Sequence, residues 1–111
     1  MYHRSIPKSK LSVTISVTLN NKIYADAQKE QLSVGKYIDQ ILSAILPIYK
    51  DRPVVFFNDN HYTDMENKIR FEQRISDINK RQIEALATKN YTDKSSVFQI
   101  IMANYFSSQG K

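Results

Sequence analysis

Two short alternating stretches hold the polar groups best placed to do chemistry in this chain. Lys10, Ser12 and Thr14 recur at every second position among Leu11, Val13 and Ile15, and Arg70, Glu72 and Arg74 recur in the same way around Phe71, Gln73 and Ile75. Period-two alternation puts each polar trio on one face of a strand and the apolar residues on the other. Three cations and two hydroxyls supply donors, and the Glu72 carboxylate supplies an acceptor. Such a set suits a partner rich in anionic oxygens and in paired donors and acceptors. The competing reading is a solvated strand face in which Glu72 tethers Arg70 or Arg74.

A second pair of sites lies at two helix starts. Ser33 and Asp93 stand where N-caps belong, and the amides near Val34-Gly35-Lys36 and Lys94-Ser95-Ser96 then lack intrahelical partners at the positive end of a helix dipole. Such ends bind phosphate readily. Ser33, Gly35, Lys36, Lys94, Ser95 and Ser96 are therefore candidate phosphate contacts: Gly35 has no side chain to block approach, the lysines add charge and the serines add hydroxyls. Ordinary capping without a ligand is the alternative.

No catalytic constellation accompanies them, and the chain reads as a non-enzyme with no cofactor and no metal. His3 and His61 are the only histidines, and neither has ligand spacing or a nucleophile motif beside it. Two glycines cannot build a glycine-rich phosphate loop, and without cysteine there is neither a disulfide framework nor a thiolate metal site. The absence of cysteine suits a reducing cytoplasm. No secretory pattern follows Arg4, and no window approaches the ~18 apolar residues of a membrane span. A soluble, cytoplasmic chain with no membrane partner is expected.

The elements that must position these residues come in duplicate. Shifted by 60 residues, 8–49 lies over 68–109 without a gap. Lys8, Ile15, Ser16, Ile23, Ala25, Ala27, Lys29 and Ile41 meet identical residues at Lys68, Ile75, Ser76, Ile83, Ala85, Ala87, Lys89 and Ile101. Each unit reads as a strand, a helix and a second helix. Ser16 is expected to cap a helix striped by Leu19, Ile23 and Ala27 that ends near Gln31. Ser33 opens another, with apolar pairs Tyr37/Ile38, Ile41/Leu42 and Ile45/Leu46, whose last turn Pro47 weakens. In the second unit Ser76 is the cap before Ile83 and Ala87, and Asp93 precedes Val97/Phe98, Ile101/Met102 and Tyr105/Phe106. Gln73 stands where an apolar residue is due, so the second strand is expected to be looser or shifted. A rival reading runs 64–90 as one helix, although its apolar positions keep no steady phase.

Charge follows the same division. The net charge of +5 resolves into +4 for residues 1–50, −3 for 51–67 and +4 for 68–111. Two basic units flank an acidic connector, the distribution expected for a polyanionic partner. The connector, 50–67, holds Val54-Val-Phe-Phe57, which either covers the shared core, adds an edge strand or meets another chain; core cover is expected. Met1–Ser9, with His3, Arg4 and Lys8, is either an arm along a nucleic-acid backbone or a plain basic tail.

Strand, helix, helix, repeated with these caps, resembles the ribbon-helix-helix fold of the Arc and MetJ class of DNA-binding proteins. The resemblance rests on Leu11-Ser-Val-Thr-Ile15-Ser16 with Ser33-Val-Gly-Lys-Tyr-Ile38. It rests equally on Arg70-Phe-Glu-Gln-Arg-Ile75-Ser76-Asp77 with Asp93-Lys-Ser-Ser-Val-Phe98. It implies a mainly α fold with a short two-stranded antiparallel ribbon that enters the DNA major groove. Here it implies a tandem pseudo-dimer: one pseudo-symmetric domain, 1–111, made of units 8–49 and 68–109 joined by 50–67. Lys10, Ser12, Thr14, Arg70, Glu72 and Arg74 become candidate base contacts, because Arg or Lys bonds guanine, Ser and Thr are versatile and Glu accepts from cytosine.

The expected partner is double-stranded DNA, with the protein itself assembling in arrays or as a homodimer. Transcriptional repression is one expected role. The other is an accessory role at a plasmid transfer or partition origin beside a relaxase, since the tandem looks like the fused accessory proteins of conjugative relaxosomes. The alternative is an antitoxin or interaction module that neutralises a toxin. Since the two strand faces differ, each ribbon is expected to prefer a non-palindromic subsite.

Overall fold

The structure, a computed structural model, describes residues 7–50 and 67–109. The readings of the connector run Val54–Phe57 and of His3, Arg4 and His61 fall outside the described residues. Among the described residues the fold is mainly helical, with a two-stranded antiparallel sheet and four α-helices. Strand β1, Lys8–Ser16, leads into α1, Val17–Lys29, and α2, Val34–Ile45, which tightens into a 3-10 turn at Leu46–Tyr49. Strand β2, Lys68–Ser76, leads into α3, Asp77–Lys89, and α4, Lys94–Gln109. The strands and first helices of the two halves thus stand 60 residues apart, as the duplication predicts.

β1 and β2 pair with each other, Lys8 opposite Ser76 and Ser16 opposite Lys68, with Ser12 opposite Glu72 in the centre. The ladder continues past both ends: Val17 N donates to Asn67 O at 2.9 Å and Asp77 N to Pro7 O at 2.8 Å. The single-helix reading of 64–90 is therefore overturned. From Arg70 to Ile75 exposed residues alternate with buried or half-buried ones, which favours a strand, and β1 supplies the partner a lone strand lacks. Gln73 does not shift the strand either. It stays in register opposite Leu11, and its Nε2 donates to the Tyr24 hydroxyl at 3.2 Å, so the amide is satisfied where an apolar side chain was due.

The ribbon's apolar face is the floor of one core. Leu11, Val13, Ile15, Phe71 and Ile75 are buried with Leu19, Ile23, Ile38, Leu42, Ile83, Ile101 and Met102. Phe71 stacks on Phe98 with ring centroids 5.5 Å apart. The halves interlock, since α2 packs on β2 and α4 on β1. Burying a large aliphatic or aromatic side chain stabilises by about 1.5–3 kcal/mol, and neither half has a sheet of its own to bury against. In α4, Ala103 and Asn104 are buried beside Val97, Phe98, Ile101, Met102 and Phe106, so burial runs round more than one side of that helix.

Both first helices close alike. Leu32 N donates to Ala27 O and Gln31 N to Gln28 O, with Gln31 at φ 59°; Thr92 N donates to Ala87 O and Tyr91 N to Thr88 O, with Tyr91 at φ 54°. These paired bonds satisfy the last carbonyls of each helix through a left-handed residue. α1 consequently stops at Lys29, short of the Gln31 read from the sequence, because Gln31 belongs to the turn.

Candidate nucleic-acid interface

The ribbon's outer face collects all six strand residues singled out in the sequence. Three cross-strand rungs stand side by side: Lys10 opposite Arg74, Ser12 opposite Glu72, and Thr14 opposite Arg70. Lys10, Arg70, Glu72 and Arg74 are exposed, and Ser12 and Thr14 half-buried, while every helix covers the apolar side. Alternate residues on a strand lie ~6.7 Å apart, so three rungs extend over ~13 Å.

Glu72 organises the middle of this face. Lys10 Nζ lies 2.9 Å from Glu72 Oε2, and Arg70 Nη1 lies 3.6 Å from Oε1. The Ser12 hydroxyl donates to Glu72 Oε1 at 3.2 Å and accepts from Arg70 Nη1 at 3.1 Å. The hydrogen bond from Lys10, opposed by partial desolvation and helped by the charges of Lys10 and Arg70 and the Ser12 hydroxyl, holds the Glu72 carboxyl below the usual carboxylate range. The sequence offers Arg70 or Arg74 as its tether; in the fold it takes Arg70 and, from the other strand, Lys10. Among the described residues, the Arg74 side chain makes no hydrogen bond or ion pair, which leaves it the unpaired cation of the three rungs.

The two second-helix N-termini differ from each other and from the simple expectation. At α2 the Ser33 hydroxyl accepts from Lys36 N at 3.3 Å, and Lys36 is exposed. Gly35, expected to leave room for a ligand, is buried: a Cβ there would meet the Arg74 carbonyl oxygen at 2.7 Å. The missing side chain lets the helix press on β2, so its immediate role is packing. At α4 the cap is anionic, Asp93 Oδ1 accepting from Ser96 N at 2.8 Å, and the Ser95 hydroxyl accepts from Thr14 N at 3.0 Å. Thr14, Lys68, Asp93, Ser95, Ser96 and Gln99 line a polar hollow of about 320 Å³ there. The Asp93 charge works against an anion at this end, whereas the α2 end carries no such charge.

Sequence reading missed the residues that lock the second helices to the ribbon. Asp39 Oδ1, on α2, accepts from Ser76 N at 3.1 Å, from the Ser76 hydroxyl at 3.0 Å and from Asn79 Nδ2 at 2.7 Å. Ser76 is thus the N-cap residue of α3 without a side-chain capping bond of its own, because its hydroxyl is turned to Asp39. Sixty residues on, Gln99 Oε1 on α4 accepts from Ser16 N at 2.7 Å, and there Ser16 keeps the expected cap, accepting from Leu19 N at 3.1 Å. Each second helix therefore fastens the strand–helix junction of the other half. The available signal was a polar residue lodged among apolar pairs, Asp39 after Ile38 and Gln99 after Phe98.

Among the described residues no group of three or more His, Cys, Asp or Glu is placed to hold a metal, and no helix is long and apolar enough to cross a membrane. Comparison with known proteins gives no match to any family model, curated protein or solved structure.

Proposed function

We propose that the chain is a tandem ribbon-helix-helix pseudo-dimer that binds double-stranded DNA, laying β1 and β2 together in the major groove. The observation that carries this reading is the three-rung polar face, solvent-facing and cationic at both ends, on a ribbon whose other face is buried. Two strands spaced ~4.8 Å apart fit within a groove ~12 Å wide. Three rungs over ~13 Å match about four base-pair steps at 3.4 Å each. The Lys-Ser-Thr strand differs from the Arg-Glu-Arg strand, so the subsite is non-palindromic and longer targets are arrays of such subsites. Lys36 and the free amides at the start of α2 clamp one phosphate backbone, and the Asp93-capped start of α4 contributes less. Repression of transcription, or service at a transfer or partition origin, would each build on this binding step.

A salt titration tests it. Duplexes enriched from a random pool, and unselected duplexes, are titrated with the protein at several salt concentrations. The expected outcome is selective binding whose affinity falls linearly with salt on a double-logarithmic plot, by about 0.9 per phosphate contacted. Absence of binding to either duplex near physiological salt overturns the reading, and a strictly palindromic enriched core overturns the intramolecular ribbon as its reader.

A further inference from the structure

A carboxylate at the centre of a surface meant for a polyanion needs a reason. We propose that Glu72, flanked by Lys10 and Arg70, forms one composite reader of a single C·G base pair in the middle of the subsite, and that the same pairing restrains binding to DNA of other sequence; this rests on the DNA-binding reading above.

The geometry supplies both halves of the argument. Glu72 occupies the central rung, opposite Ser12. Its two oxygens are divided, Oε2 toward Lys10 at 2.9 Å and Oε1 toward Ser12 at 3.2 Å and Arg70 at 3.6 Å. The face therefore presents an acceptor with cationic donors on either side of it. In the major groove a C·G pair presents the cytosine N4 donor next to the guanine O6 and N7 acceptors. Acceptor beside donor meets donor beside acceptor. Glu72 accepts from N4 while Lys10 or Arg70 turns to the guanine of the same pair, and the ion pair opens only as far as the base pair replaces it.

Other pairs fail for stated reasons. A thymine O4 or guanine O6 placed against Glu72 sets acceptor against acceptor, which a carboxylate can relieve only by staying on its own cations. Lys10 and Arg70 then remain committed within the protein and neutralise no phosphate. An A·T pair also sets a donor, N6, beside acceptors, but its N7 and the thymine O4 lie on either side of that donor, so no single cation gains the adjacent O6/N7 pair that guanine offers. Ser12 serves as the positioning residue: it accepts from Arg70 while donating to Glu72, so both side chains are held to one point. Arg74, with no such restraint, reads its base independently.

The test compares Glu72→Gln with Glu84→Gln, an exposed change of equal charge on α3 away from the ribbon face. Sites are selected from random duplex for each protein, and affinities for the selected and an unselected duplex are measured against salt. For the unaltered chain, replacing the central C·G pair is expected to weaken binding about 5- to 150-fold. Glu72→Gln is expected to lose that one preference, keep the position read by Arg74, and bind unselected duplex with a salt slope steeper by about one to two as Lys10 and Arg70 reach phosphates. Glu84→Gln should strengthen both duplexes alike and keep the preference. Retention of the C·G preference by Glu72→Gln, or its loss in Glu84→Gln as well, overturns the inference alone. An unaltered chain that binds no duplex overturns the reading beneath it.

Discussion

Gly35 lies directly against the main chain of Arg74, so close that a Cβ on the glycine would stand 2.7 Å from the Arg74 carbonyl oxygen. The start of α2 in one half and the free arginine of the ribbon in the other are thereby a single packed unit. Gly35→Ala sets two effects against each other. Alanine favours a helix by up to ~1 kcal/mol, but a methyl group forced on backbone costs about 1–3 kcal/mol, and a carbonyl in a paired strand cannot swing aside. The clash wins, and a net loss of about 1 kcal/mol is expected as a lower urea midpoint at unchanged slope. An unchanged or raised midpoint would show that α2 lifts off the strand freely.

Asp39 holds three donors at a junction where Asn79 is only 2% exposed. Removing the acceptor strands the Ser76 amide, while Asn79 retains the Ser43 hydroxyl at 3.0 Å. Hydrogen bonds to a charged group are each worth about 1.5–3 kcal/mol, so Asp39→Ala should cost about 2–3 kcal/mol. Asp39→Asn, which keeps an oxygen in place, should cost less. Amide hydrogen exchange reports the same junction: the Ser76 N–H should exchange faster in Asp39→Ala, and equal protection in both variants would refute the assignment.

On the proposed DNA complex the two kinds of cation separate cleanly. Arg74→Ala should cost about 1–3 kcal/mol on a selected duplex and relax preference at one position, with little change on unselected DNA. Lys36→Ala should weaken both duplexes alike and reduce the salt slope by about one. Lys94→Ala should do less than Lys36→Ala, because Asp93 already offsets charge at the α4 end. Equal effects of the two lysine changes would remove the distinction drawn between the helix starts.

Acid stability has an equally definite sign. Asp77 is held below the usual carboxylate range first by the Ser9 hydroxyl, which donates at 2.6 Å, and by the nearby charges of Arg81 and Lys80, against some desolvation. Glu72 is lowered on the ribbon face by Lys10, Ser12 and Arg70. A lowered folded value means that folding favours the ionised form. That contribution is complete above the ordinary carboxylate range of about 4 and is lost as pH falls through the lowered values. Melting temperatures should be level on the neutral side of pH 4–5 and fall below it, with a shallower acid fall in Asp77→Asn. An identical acid limb in that variant would sink the assignment.

The sequence made some of this plain and hid the rest for physical reasons. Ser16 and Ser33 announced themselves as caps because capping is local: the hydroxyl and the amide it accepts from are three residues apart. Alternation at 10–15 and 70–75 was likewise enough to separate the two faces of each strand. Ser76 carries the same local signature as Ser16, yet its hydroxyl turns to Asp39, and only the apposition of α2 on β2 decides that. Gly35 looked like space for a ligand because nothing in a sequence tells an open position from one filled by distant backbone. Glu72's choice of Lys10 depended on the register of two strands, which neither strand encodes alone.

The ladder between β1 and β2 joins residues of one chain, and this fixes how the proposed DNA binding should respond to supply. An assembly that must first find a second chain loses its binding-competent form as the square of the protein concentration, because dilution dissolves the partner. A ribbon closed within one polypeptide keeps its partner strand at a fixed effective concentration however dilute the solution. Occupancy of a single subsite should then scale in direct proportion to copy number at low occupancy, so halving the gene dose should halve the sites filled, where a two-chain reader would lose three quarters.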